Sequence, residues 1–212
     1  MATRNIDFEK PFTYVFKDPA WLQRVLLGGL FHLLGVVVVG AFVSLGYQKK
    51  LFLALVDDEN APLPEFDVSR DLADGVPIFG IFAIYWAGSL LLGFVPCVGT
   101  CASMLLSLAA MVVVPAALTR YYVTNRFSAA FEIDQILAYI KANPNNLALY
   151  VAMGLIVGML SSIGLLACVV GAFFVSFWGS LVTTRALADT YRLALEEPSE
   201  TAAPPPADPA AY

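Results

Sequence analysis

Charge is scarce in this sequence. Lys, Arg, Asp and Glu make up 14% of its 212 residues, where a soluble domain carries about 25%. Histidine occurs once and cysteine three times. No nucleophile–base–acid set, phosphate loop or dinucleotide fingerprint is present, and no carboxylate falls inside the long apolar runs, so an enzyme is not expected. No dense basic patch exists to meet a phosphate backbone, which argues against a nucleic-acid partner. The cysteines have neither a paired CxxC spacing nor a histidine beside them, so no metal or other cofactor is expected. A mixed-charge stretch precedes the first apolar run and no small-x-small site follows it, so no cleavable leader is expected.

Apolar length is what the sequence does have: 59% of residues are hydrophobic and the mean hydropathy is +0.74. Crossing a hydrocarbon core takes roughly 20 apolar residues in a helix. Blocks 76–95, 98–118, 147–167 and 169–187 each meet that length. Backbone groups in lipid must be satisfied within the segment, and no period-2 alternation suggests a barrel, so the spans read as helices. Pro77 and Pro144 are placed at helix starts, Pro144 with Asn143 as its N-cap, and Pro115 falls inside a span. The first block stays open between two readings. It is one span over 25–46, or a tight hairpin that turns within 35–40 and returns through 42–56.

The twelve cations bear on that choice. Four precede the first block: Arg4, Lys10, Lys17 and Arg24. Lys49, Lys50 and Arg70 follow it. Arg120, Arg126 and Lys141 sit between the middle blocks, and Arg185 and Arg192 close the last. The connectors at 96–100 and 168–171 carry none. Cations beside spans stay on the cytoplasmic side. A single first span splits the twelve eight to four, whereas a hairpin puts all of them on one face but obliges Lys49 and Lys50 to snorkel. Trp21, Tyr47, Tyr121, Tyr122, Tyr150 and Tyr191 flank the basic segments as an interfacial belt would.

The expected architecture is therefore all-α: a polytopic membrane protein of about five or six hydrophobic helices in hairpins, with interfacial amphipathic helices on the cytoplasmic side. Residues 1–24 form an N-terminal cytoplasmic segment with an interfacial helix, 25–192 the membrane domain, and 193–212 a Pro-, Ala- and Glu-rich disordered tail. Phe131, Ile133, Ile136, Leu137 and Ile140 recur at helical spacing and mark a second interfacial helix. A shift of 65 residues lays Phe66-Asp67-Val68 on Phe131-Glu132-Ile133 and Thr119-Arg120 on Thr184-Arg185. Units 64–126 and 129–191 are thus a candidate parallel repeat, as in some transporters.

Few residues suggest chemistry. His32 is a candidate intramembrane polar site, being the one ionisable side chain deep in an apolar block; a proton relay would need a second titratable group at that depth. Cys97, Cys101 and Cys168 fall near the non-cytoplasmic tips, where an oxidising face would let Cys168 pair with either of the others; buried thiols are the plainer reading. Gly154 and Gly158 form a GxxxG, and Ser103/Ser107 and Ser176/Ser180 are small-xxx-small pairs, candidates for helix packing. Packing within the chain is the default for these faces. Asp57, Asp58, Glu59, Glu65, Asp67, Asp71 and Asp74 make one segment acidic; their spacing matches no calcium loop and reads as a solvated face.

Several short stretches carry a family likeness. They are Tyr14-Val15-Phe16-Lys17-Asp18-Pro19-Ala20-Trp21 with Gly28-Gly29; Gly46-Tyr47, then Leu63-Pro64-Glu65-Phe66-Asp67 and Asp74-Gly75; and Ala142-Asn143-Pro144, followed by Gly171 and Trp178. In this order and spacing, over about residues 12–192, they resemble the bacterial and archaeal membrane family called domain of unknown function 4013. That resemblance implies no activity, ligand or catalytic residue. The leading expectation is a structural or accessory subunit in the cell membrane. Its partners are the lipid bilayer and other membrane subunits or its own copies; its basic loops and tail face the cytoplasm. The alternatives are a small transporter or channel and, less favoured, a lipid-binding or membrane-shaping protein.

Overall fold

The computed structural model describes residues 5–34, 39–93, 98–167 and 169–196. The three cationless or turning segments of the sequence, at 35–40, 96–100 and 168–171, fall partly outside these residues, as does the tail from 197. Among the described residues there is no strand. The described residues form eight α-helices: α1 Lys10–Tyr14, α2 Trp21–Leu34, α3 Val39–Asp57, α4 Val68–Gly93, α5 Val98–Thr124, α6 Ile133–Ala142, α7 Pro144–Ala167 and α8 Val169–Glu196. Short 3-10 turns at Val15–Lys17 and Phe127–Phe131 join some of them.

The first apolar block contains two helices, α2 and α3, which lie against each other. Asp18 starts the first of them. Its carboxylate accepts the Ala20 N–H at 2.8 Å, one residue before α2 begins. Three helices are long and apolar enough to cross a membrane by length and composition: Val39–Asp57, Ala102–Thr124 and Pro144–Ser162. Three spans among the described residues leave the expected count of about five or six unconfirmed. The described part of α2 has 14 residues. In α4 and α8 an apolar stretch is joined to a polar one that holds Asp71 and Asp74, or Arg185, Asp189 and Arg192.

Two local expectations are corrected. Pro77 lies inside α4 rather than at its start. The helix begins nine residues earlier because Asp67 accepts the Arg70 N–H at 3.1 Å while Asp71 accepts the Asp67 N–H at 2.9 Å, a reciprocal cap that satisfies first-turn donors. Asn143 does not cap α7 with its side chain. Its amide donates back to the Tyr139 carbonyl at 3.2 Å and closes α6. Pro144 does open α7, and Pro115 does lie within α5, where the Thr119 hydroxyl donates to the Pro115 carbonyl at 2.9 Å.

The core sits where α3 and α8 meet. Tyr47, Leu51, Phe52 and Leu55 of α3 pack with Phe177, Leu181, Leu187 and Ala188 of α8 and with Ile78 and Ile81 of α4. The helices follow one another around an arc: α5 against α4, α4 against α3, α3 against α8 and α8 against α7. Its ends, α5 and α7, touch only sparsely. That open seam positions the site described below.

Candidate functional site

Ionisable side chains gather in a layer at one level of the helices. Gly46 and Gly75 set it up. A Cβ on Gly46 would meet the Asp71 carbonyl, and one on Gly75 would meet the Phe42 carbonyl, both closer than 3.0 Å. Each helix thus lays its backbone on the other at a glycine, which only a missing side chain permits. One turn past Gly46, Lys49 donates to Asp74 at 2.7 Å and to the Asn125 side-chain carbonyl at 2.8 Å, with its ammonium 5.3 Å from the Tyr121 ring centre. Asn125 is held at φ 50°, the left-handed conformation that asparagine tolerates, and this ends α5. Lys50 lies 2.6 Å from the Asp71 carboxylate and donates to the Glu65 carbonyl at 2.8 Å.

These pairs correct two expectations. Lys49 does not snorkel; it is 6% exposed and neutralised in place. The acidic segment is not simply a solvated face, since Asp71 is fully buried and Asp74 and Glu59 are paired. Burying a cation costs less than leaving it unpaired only when a carboxylate and further acceptors meet it, and both lysines have them.

A second cluster ties down the N-terminal segment. Glu59 pairs with Lys10, and lies 3.6 Å from Arg185 and 3.7 Å from Arg192. Arg185, 1% exposed, also meets Asp189 at 2.9 Å, donates to the Glu59 carbonyl at 2.6 Å, and covers the Tyr14 ring at 4.8 Å. Asp18 pairs with Arg24 and accepts the Leu63 N–H at 2.9 Å. The Tyr14 hydroxyl donates to the Ala61 carbonyl at 2.5 Å. Burial pushes the Tyr14 phenol up to about 12, against the opposing pull of Arg185.

The residues singled out from sequence are scattered. The His32 Nδ1 lies 3.1 Å from the Ser44 hydroxyl, and the ring stands edge-on to Phe177. Its polar neighbour is thus a hydroxyl rather than a second titratable group. Ser107 and Ser180 turn back on their own helices, to the Ser103 and Phe177 carbonyls at 2.8 and 2.7 Å; Ser176 is half-buried. Cys97, Cys168 and the side chain of Cys101 lie outside the described residues. Among the described residues nothing lies within 4 Å of where a Cβ on Gly154 or Gly158 would stand, so neither is seen packing against another helix of the chain. Close packing falls instead to Gly28 and Gly29 under Phe177 and Phe174, and to Gly179 against Val157. The Lys–Asp layer was missed; the signal was two adjacent lysines in one apolar block and acids three apart in the next segment.

The open seam between α5 and α7 is a groove of ≈ 430 Å³, with α4 as its floor. Tyr85 and Trp86 of α4, Met111 and Pro115 of α5, and Tyr150 and Gly154 of α7 line it. Pro115 has no N–H for the Met111 carbonyl, so the helix is loosened where it borders the groove. At one end the Tyr85 hydroxyl donates to the Ala130 carbonyl at 2.7 Å and its ring stacks on Phe131. The next residue, Glu132, takes Arg120 and Arg126, each at 2.6 Å.

A family model described as a protein of unknown function (DUF4013) matches residues 29–170. No curated protein and no solved structure matches the chain.

Proposed function

The chain belongs to the DUF4013 family, and from that premise we propose that it is a non-enzymatic structural or accessory subunit of a membrane assembly. Its apolar helices make it a membrane protein. One observation carries the finer reading: Gly158 of α7 meets no described residue, on a helix that also exposes Leu155 and Met159. In lipid, apolar surface gains little by association, so helices dock through close backbone approach at small residues. Gly158 is suited to receive a helix of another subunit, while Gly154, one turn earlier, borders the groove.

The disposition of charge supports the non-enzymatic part. Lys49, Lys50, Arg120, Arg185 and Arg192 are each committed to a carboxylate within the chain. The same charged layer, turned toward the cytoplasm of a cell membrane, would satisfy the rule for cations beside spans. The experiment is extraction of the protein with its native lipids, as wild type and as Gly158→Leu. The reading expects a partner-containing particle that the substitution dissolves while the helical fold persists.

A further inference from the structure

We propose that the groove between α4, α5 and α7 holds an acyl chain of an anionic glycerophospholipid, whose phosphate is met by Arg126. The inference rests on the chain lying in a bilayer, and not on the protein contact proposed at Gly158.

The groove's size, ≈ 430 Å³, lies within the roughly 300–1,000 Å³ of small-molecule sites. Most of its wall is aliphatic or aromatic. It opens sideways, because the arc of helices does not close between α5 and α7. In a bilayer an apolar seam of this kind is met first by lipid tails. The polar end selects the headgroup. Tyr85 belongs to the wall and bonds Ala130, two residues from Glu132, so the guanidinium pair stands directly beyond the groove. The charged side chains joined there are Arg120 and Arg126 on Glu132, two cations to one acid. Arg126 is 64% exposed in its side chain and keeps donors free for a phosphate. Phe127, Ile133 and Leu137 expose apolar side chains around it, which suits the depth at which a phosphate meets its glycerol.

Trp86, 71% exposed on the groove wall, supplies the probe. The full-length protein is placed in vesicles of phosphatidylcholine containing phosphatidylglycerol, with bromine on the acyl chains of one lipid or the other. Quenching of Trp86 is isolated by subtracting the Trp86→Phe protein, since Trp21 and Trp178 remain. Brominated phosphatidylglycerol should quench at about fivefold lower content than brominated phosphatidylcholine, the preference one arginine supplies at a membrane surface. Arg126→Gln should erase that preference and Arg126→Lys should retain it. Ala110→Phe, filling the groove from α5, should reduce quenching by both lipids. Equal quenching by the two lipids in the wild type, or quenching unchanged by Ala110→Phe in a protein of unaltered helical content, would overturn the proposal. Either result leaves the Gly158 contact standing, because neither substitution touches it.

Discussion

Lys49 reaches Asp74 at 2.7 Å across the crossing of α3 and α4, and it does so because Gly46 and Gly75 let the two backbones touch. The glycines set the distance between the helices, and the Lys–Asp pairs set their register. A slip of one residue would leave Lys49 and the fully buried Asp71 without partners in an apolar setting.

Gly75→Ala and Gly46→Ala should each destabilise the folded protein, because the added methyl meets a backbone carbonyl that cannot rotate away. Overpacking of this kind costs about 1–3 kcal/mol. Thermal unfolding in detergent checks it, with Gly154→Ala as the comparison. That methyl enters open space and should shift stability by no more than about 0.5 kcal/mol.

Lys49→Met should cost about 3 kcal/mol, since it strands Asp74 and the Asn125 carbonyl. The double variant Lys49→Met with Asp74→Leu should lose less than the sum of the two single changes. Additive losses would show that the pair is not coupled.

Asp18→Ala removes acceptors from Ala20 and Leu63 together and frees Arg24. A loss of about 1–3 kcal/mol is expected, with Asp18→Asn losing less because it keeps an accepting oxygen. Limited proteolysis within the first twenty residues should accelerate in the alanine variant before the membrane helices are cut.

Tyr14 gives the fold an alkaline limit. Its phenol titrates at about 12 in the folded protein against an ordinary 10.0. The folded state holds this proton more tightly, so the contribution is complete below pH 10 and is lost as pH rises from 10 to 12. The loss amounts to about 2–3 kcal/mol at most. Tyr14→Phe should flatten stability against pH over that window, while costing about 1 kcal/mol at neutral pH through the missing bond to Ala61.

Much of the helical fold was legible in the sequence, and the reasons are local. Pro144 opens α7, the apolar spacing of Phe131 to Ile140 accompanies α6, and four long runs became α4, α5, α7 and α8. Where one local signal competed with another, the reading slipped: Pro77 looks like a helix start until the Asp67–Asp71 cap is seen to begin α4 earlier. The site was far less legible. The GxxxG was visible as a motif, but which way Gly154 and Gly158 point depends on the arc of helices around α3 and α8, a tertiary property. The same holds for Lys49. Its charge suggested a reach toward water, and only the crossing at Gly46 brings Asp74 near enough to make that unnecessary.

The most direct test of the account is the mass and composition of the particle extracted with its native lipids, measured for the wild type and for Gly158→Leu. The expected result is a discrete complex containing a further membrane-protein chain in the first case, and the lone, helical protein in the second. A wild-type particle that is a lone monomer, or a complex that survives the substitution intact, would contradict it.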